Sequence, residues 1–427
     1  MPLPPLIEIQ PLAASVRALI VVPGSKSITN RALVLAALGR GRTTLHGALW
    51  SEDTQVMVAG LKTLGFAVEV EPDPQEPANR TITVVGLDGC VPRGGTPDQP
   101  LELLVGNAGT AARFLAAMVC LGHGVYRLQG VARMHERPQA ALFQALRELE
   151  YRVDSANDRL PVLIHGRGPC PGPCRVSIAE SSQFASALLL SARAGGWRIE
   201  IEGENAEASP YVAMTSQLCA AFPRDGGVFQ IEPDASSGSY FQAANMISNF
   251  KFQILNPIQV AHWPVSGWQI DAAFPKFWPL PPVVSRQRDL GDSIMTAIAL
   301  APLAGHAVTF TDLGRLRVQE CERVAALRAE LTRCGARVVE RGDTLEVLPS
   351  VLHGAEIETY QDHRLAMCFA VVGLAVPDIR LRHPACVKKT FPNFFQKLAA
   401  APPNGLGVAI SDAATGRRLR EQELCAD

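Results

Sequence analysis

One phrase recurs six times along the chain: an Ala/Leu-rich helix, a tight turn, and a short run of alternating apolar and polar residues. It is read in "LAALGRGRTTLHGAL", "MVCLGHGVYRLQGV", "LLSARAGGWRIEIEGE", "AANMISNFKFQILNP", "LAPLAGHAVTFTDLG" and "VVGLAVPDIRLRHPA", with turns near Gly41, Gly124, Gly196, Asn249, Gly305 and Pro377. Such self-similarity constrains a fold more than composition does. The alternation after each turn predicts strands with one buried face. A second helix and strand often follow, as in "SEDTQVMVAGLKTLGFAVEV", "ERPQAALFQALRELEYRVDS" and "RVQECERVAALRAELTRCGARVVE". Pro138 stands near the start of one such helix and Gly335 just past the end of another, where helix chemistry favours them. Repeated β/α units predict an α/β fold with mixed sheets.

The 427 residues, 47% of them hydrophobic, are too many for one ordinary core, so two domains of three copies each are expected. The stretch "AAFPRDGGVFQIEPDASSGSY" places the boundary near Asp234, giving an N-terminal domain over 22–234, a C-terminal domain over 235–398 and a tail over 399–427 that belongs to no copy. The fourth copy reads as shortened, because "GWQIDAAFPKFWPLPPVVSRQRD" carries prolines where a helix and a strand are due. A net charge of −1 speaks against nucleic acid or an anionic membrane as a partner. No apolar run reaches the roughly 18 residues of a membrane span. The first residues lack the basic-then-apolar pattern of a secretory leader, so a cytoplasmic protein with reduced thiols is expected. The "CPGPC" at 170–174 lacks the spacing and the partners of a metal site, and no metal is expected.

Polar signals concentrate where the first helix of each copy begins: "PGSKSITNR", "VGNAGTAAR", "ESSQFASALL", "DASSGSYFQAA", "RDLGDSIMTAIAL" and "YQDHRLAMCF". Taken singly, the hydroxyls and carboxylates read as N-caps, with Ser27, Thr29 or Asn30 capping the first helix. Six such starts, several beside a lysine or arginine that capping does not require, point instead to anion binding at helix N-termini. Neither "PGSKS" nor "GNAGT" satisfies the P-loop pattern, and "GNAGTAAR" lacks the third glycine of a dinucleotide fingerprint. Further cations fall at Arg137, Arg317, Arg323, Arg364, Lys388 and Lys389. Gln319 and Arg323 are four apart and share a helix face, with Glu320 at its border. By itself Glu320–Arg323 reads as a surface ion pair of little worth, and His363 as a structural, helix-capping histidine.

These segments, with "RMHERP", "RVQECERV" and "KKTFPNFF", resemble the 5-enolpyruvylshikimate-3-phosphate synthase family, in that family's order from Val22 to about Leu398. The resemblance implies two domains, each of three βαβαββ repeats with buried helices and outer sheets, residues 1–21 belonging to the C-terminal domain. It implies transfer of the enolpyruvyl group of phosphoenolpyruvate to the 5-hydroxyl of shikimate 3-phosphate, with release of phosphate, by addition and elimination through a tetrahedral intermediate. The partners would be these two small molecules, bound by a monomer whose halves close on them, and no cofactor would be needed. Lys26, Ser27, Arg31, Ser181, Ser182, Gln183, Tyr211, Asp292 and Gln319 would hold shikimate 3-phosphate. Lys26, Asn107, Gly109, Arg137, Arg323, Arg364 and Lys389 would surround phosphoenolpyruvate. Asp292 would accept the hydroxyl proton, while Glu320 and Lys26 serve the proton transfers at carbon.

The sequence departs from the family pattern at Gln319, where lysine is usual, at Ala208, where serine is usual and Ser209 stands next to it, and at Arg315, where a small polar residue is common. Phe114 replaces a frequent proline beside the small-residue loop at Gly109 and Thr110, which the inhibitor glyphosate should still fit. Two alternatives stay open on these residues. One is a degenerate relative that binds phosphorylated ligands without turnover; the other is the enolpyruvyl transferase acting on UDP-N-acetylglucosamine, although that enzyme uses a loop cysteine with no counterpart here.

Overall fold

The six helix starts open six helices: Lys26–Leu38, Gly109–Met118, Gln183–Gly195, Ala235–Phe252, Ile294–Leu300 and His363–Gly373. Every residue of the Gly109, Ile294 and His363 helices is buried, as expected of helices that are apolar on all sides. The coordinates are a computed structural model that describes residues 3–203, 209–253 and 257–426. The chain forms two compact units, Gly24–Glu232 and Met1–Pro23 with Pro233–Asp427. Among the described residues no helix is long and apolar enough to cross a membrane.

Each of the six helices leads into a strand with a parallel partner. Four of them cross over between neighbours in the chain: Leu101–Leu104 with His123–Gln129, Gly172–Ser177 with Trp197–Glu202, Val283–Ser285 with Val308–Thr311, and Ala355–Ile357 with Ile379–Arg382. A parallel pair needs such a crossover, and the helix supplies it. The other two exchange partners. Arg40–Leu49, after the Lys26 helix, pairs with Gly227–Gln230. Ile258–Val260, after the Ala235 helix, pairs with Ala18–Ile20. Each unit thereby closes on strands far apart in sequence.

Antiparallel strands extend three of these pairs in one pattern. Asn79–Leu87 and Val68–Pro72 follow Arg40–Leu49; Val162–Arg167 and Arg152–Asp154 follow His123–Gln129; Thr344–Leu348 and Arg337–Arg341 follow Val308–Thr311. The helices Glu52–Thr63, Ala140–Glu148 and Arg323–Arg333 belong to these second halves. The sixth pair is extended by the chain ends: Ile379–Arg382 pairs with Leu6–Ile9, which pairs with Ile410–Asp412. Ile410–Asp412 is therefore the edge of a four-stranded sheet, with Ile410, Leu419, Leu424 and Ala426 in the core.

Two local expectations give way. The Ala235 helix runs through Asn249 to Phe252 and ends at Gln253, in the left-handed region, so the turn falls later than the sequence suggested; residues 254–256 of that phrase lie outside the described residues. Ser27, Thr29 and Asn30 all lie inside the first helix, whose cap position is Ser25. The proline-crowded stretch is short of regular structure, as the sequence suggested: it forms a 3-10 helix, Ile270–Phe277, and the three-residue strand Val283–Ser285, since proline cannot donate to a helix or sheet ladder.

Candidate active site

In the unit Gly24–Glu232, Lys26 is the first residue of its helix. Its Nζ donates to Asp53 Oδ2 at 3.0 Å, the carboxylate being almost fully buried. Asp53 lies in the first turn of the Glu52–Thr63 helix, where the helix dipole favours a negative charge. One turn beyond Ser27, Arg31 donates to the Ser27 carbonyl at 2.9 Å, Thr215 Oγ1 at 2.8 Å, Ser186 Oγ at 3.0 Å and the Tyr211 carbonyl at 3.4 Å. Its guanidinium lies over the Phe114 ring, 5.3 Å from the centroid. Burial pushes its pKa down to about 10, so it remains a cation at neutral pH. Arg31 braces the backbone that presents Ser27 and Tyr211.

The Gly109 helix starts with no side-chain cap bond, and its first-turn amides have no intrahelical acceptor. Arg137, buried beside it, donates from Nη1 to the Asn107 carbonyl at 3.2 Å. A Cβ at Gly109 would lie 2.7 Å from Arg137 Nη2, so only glycine lets the guanidinium sit against the helix start. Cation and amides together suit an anion. At the Gln183 helix, Ser181 Oγ accepts from the Gln183 amide at 3.2 Å, and Ser182 occupies the cap position without a side-chain cap bond. Gln183 is itself held: Arg113 Nη1 donates to its Oε1 at 2.6 Å, and its Nε2 donates to Thr110 Oγ1 at 3.2 Å. Tyr211 is the second residue of the helix Pro210–Ala221, whose cap position is Ser209, a buried serine whose hydroxyl has no hydrogen-bond partner among the described residues. Ala208 lies outside the described residues.

In the other unit, two carboxylates sit among cations. Asp292 precedes the Ile294 helix, with Arg286 Nη2 at 3.0 Å from Oδ1 and Arg364 Nη2 at 2.9 Å from Oδ2. Burial opposes its ionisation, but Arg364, Arg286 and Arg323 outweigh burial and hold the carboxyl well below the usual carboxylate range. Glu320 is gripped by Arg323 Nη2 at 2.8 Å and Lys389 Nζ at 3.2 Å. Arg323 also pairs with Asp362, at 2.7 Å from Nε to Oδ2, and donates to Gln319 Oε1. The Arg323 side chain is 1% exposed and that of Glu320 10%, so the pair is no surface ion pair. Asp362 caps the His363 helix, accepting from the Arg364 amide at 2.8 Å. The cap is thus Asp362, while His363 is a buried residue of the first turn. Tyr240 hydrogen-bonds Arg364.

Two of the cations seen in the sequence go elsewhere. Arg317 binds Glu322, Glu340 and Asp343 in a half-exposed network, and Lys388 is exposed beside buried Lys389. All ten cysteines are free thiols, four of them buried. Cys321, 3.6 Å from Asp362 Oδ2, has its pKa raised by burial and by that carboxylate, and so remains a thiol. A reactive thiolate is absent at that position.

The sequence matches the family EPSP synthase (3-phosphoshikimate 1-carboxyvinyltransferase) over residues 10–223 and 279–398. A 3-phosphoshikimate 1-carboxyvinyltransferase of Opitutus terrae is 38% identical, over 93% of this chain and 98% of that protein. The chain belongs to the EPSP synthase family. It is an enzyme of the kind that transfers an enolpyruvyl group from phosphoenolpyruvate to shikimate 3-phosphate. The same-named protein of Laribacter hongkongensis is 37% identical over 91% of this chain. The fold is that of EPSP synthase from Acinetobacter baumannii (TM-score 0.66, 19% identity, 95% of this chain and 99% of that one) and of the enolpyruvyl transferase NikO from Streptomyces tendae (TM-score 0.67, 15% identity, 96% and 99%). The family match leaves out residues 224–278, which take in much of the shortened fourth repeat.

Sequence reasoning on this EPSP synthase family member missed Asp53, Arg113 and Arg286. Each is defined by a contact that no local pattern announces: Asp53 with Lys26, Arg113 with Gln183, and Arg286 with Asp292, which it shares with Arg364. The "SED" opening of a second helix was the one available sign of Asp53.

Proposed function

We propose that this chain catalyses the transfer by addition and elimination, with Asp292, Glu320 and Lys26 moving the protons. In the addition, the 5-hydroxyl oxygen of shikimate 3-phosphate bonds to C2 of phosphoenolpyruvate while the C3 methylene gains a proton. In the elimination, the new methyl loses a proton, the double bond re-forms and the C2–O bond to phosphate breaks. Asp292 accepts the hydroxyl proton. Held ionised by its arginines, it is always in the accepting form, and as a weak base it takes the proton late, once C–O bonding has made that proton acidic. Glu320, with Lys26, delivers the proton to C3 and removes it again.

Arg137, Arg323, Arg364 and Lys389 receive the phosphate and carboxylate of phosphoenolpyruvate, guanidinium forks suiting both groups, with Asn107 and Gly109 shaping the loop. Ser27, Arg31, Ser181, Ser182, Gln183, Tyr211 and Gln319 hold shikimate 3-phosphate. These positioned charges stabilise the intermediate, and that role requires no reorganisation during the reaction. The observation that most supports this reading is the placing of the half-buried Asp292 and Glu320, each between two cations, just ahead of helix starts. The test is phosphate release on mixing phosphoenolpyruvate with shikimate 3-phosphate, alongside calorimetric binding of each. Both substrates bound with no phosphate released would overturn it in favour of a degenerate binder.

A further inference from the structure

Arg286 lies in none of the segments that carry the resemblance, yet its side chain reaches the proposed proton acceptor. It follows the strand Val283–Ser285 in the turn "SRQRD", the end of the shortened repeat. That turn is tightly bonded. The Arg286 amide donates to the Thr311 carbonyl at 3.1 Å, the Ser285 amide to Asp289 Oδ2 at 2.7 Å, and the Gln287 and Arg288 amides each to Ser285 Oγ at 3.2 Å. The side chain is buried, and its Nε is enclosed with no hydrogen-bond partner among the described residues. Its ion pair is with Asp292 Oδ1, opposite the Arg364 pair on Oδ2. A carboxylate anchored at both oxygens by guanidinium groups on separate elements cannot rotate about its Cβ–Cγ bond, and its plane is set.

We infer that Arg286 is a positioning residue for the reaction: it fixes the plane of the Asp292 carboxylate and keeps it ionised, so that one oxygen lone pair stays aimed at the substrate hydroxyl. The inference rests on Asp292 being the proton acceptor. Arg315, on the 3-10 helix Gly314–Val318, acts on Arg286 as a like charge, and Asp292 is the carboxylate that compensates Arg286. Burial and Arg286 together push Arg315 down to about 10. The other charged groups acting on Asp292 are Arg323, Glu320 and, from the 3-10 helix Ile270–Phe277, Asp271. Asp271 accepts from Ser236 Oγ and, at 2.6 Å, from Ser293 Oγ. It is a second buried carboxylate whose repulsion Arg286 and Arg364 together must offset.

The sign follows directly. Removing one of two flanking cations raises the pKa of Asp292, and the ionised form needed to accept a proton is then lost at higher pH. In Arg286→Gln, the acid limb of kcat should move up by about one unit or more, while kcat at neutral pH, where Asp292 stays ionised beside Arg364, should fall about tenfold because the carboxylate plane is no longer held. KM for phosphoenolpyruvate should change less than kcat. Arg286→Lys keeps the charge and should leave the limb low while recovering part of kcat. Asp292→Asn separates the two readings: if it retains most of its turnover, the acceptor assignment fails. If Asp292→Asn is inactive but Arg286→Gln leaves limb and kcat where they were, only the role of Arg286 fails. It also fails if Arg286→Lys and Arg286→Gln lose thermal stability and kcat alike with no movement of the limb.

Discussion

Adding one methyl group at Gly109 tests the phosphoenolpyruvate side most sharply. Gly109 has ordinary helical backbone geometry and no positive φ, so Gly109→Ala is tolerated locally, and alanine in a helix gains about 0.5–1 kcal/mol over glycine. The new Cβ, however, would lie 2.7–2.8 Å from three atoms of the Arg137 guanidinium, closer than carbon and nitrogen can approach. The guanidinium is the mobile end of its side chain, so it moves, and its 3.2 Å bond to the Asn107 carbonyl is drawn out of place with it. Stability should therefore stay within about 1 kcal/mol of the parent, since the relief is a side-chain shift and not a cavity or a strained backbone. Losing one charge-assisted hydrogen bond to the substrate costs about 1.5–3 kcal/mol, which is roughly ten- to a hundredfold in KM for phosphoenolpyruvate. Steady-state kinetics with each substrate varied in turn, beside a thermal melt, read both numbers. Gly106→Ala is the control: Gly106 has φ 51° and open space around its Cβ direction, so it should cost about 1–2 kcal/mol of stability and leave Arg137 in place. A Gly109→Ala enzyme that keeps its phosphoenolpyruvate KM would refute the placing of Arg137 at that substrate.

Glu320→Gln should lower kcat about a hundredfold or more, the usual scale of general acid–base catalysis, while the dissociation constant for shikimate 3-phosphate changes little; a surviving kcat would remove Glu320 from the proton transfers. Truncation after Leu398 should abolish folding, because it strips a sheet edge and exposes the sites of Leu406, Ile410, Leu419 and Leu424, each burial being worth about 1.5–3 kcal/mol against a total stability of about 5–15 kcal/mol. A soluble, cooperatively melting truncated chain would contradict this. Cys321→Ser should keep kcat within about twofold, since thiolate nucleophilicity is not in use at its raised pKa, and alkylation of Cys321 at neutral pH should be slow by mass spectrometry. Arg317→Ala should reduce melting temperature by a few degrees, as half-exposed ion pairs contribute up to about 1 kcal/mol each, with both KM values unchanged.

Much of the candidate site was legible because its groups sit at helix starts, and a helix start is a local event. "PGSKS", "GNAGT", "ESSQ", "GDS" and "DHR" each announce a first turn, and four of the six helices leave their cap position without a side-chain cap bond. The two that are capped by carboxylates use Asp234 and Asp362, and Asp362 also pairs with Arg323. Reading His363 as the cap failed for want of geometry, since the residue one position earlier has the extended backbone a cap requires.

The repeat of helix, turn and alternating strand, and with it the α/β class, followed from the sequence alone, because hydrophobic periodicity and turn chemistry act over a few residues. Partners separated by long stretches of chain were another matter. That Ala18–Ile20 pairs with Ile258–Val260, that Ile410–Asp412 completes the sheet of the sixth repeat, and that Asp53 neutralises Lys26 were decided only in three dimensions. Strand pairing and charge compensation depend on distance in space, and one sequence does not encode that distance as a local pattern. Arg286 shows the same limit at short range: six residues from Asp292, it is unremarkable in a proline-crowded stretch until the turn at Ser285 folds its side chain back onto that carboxylate.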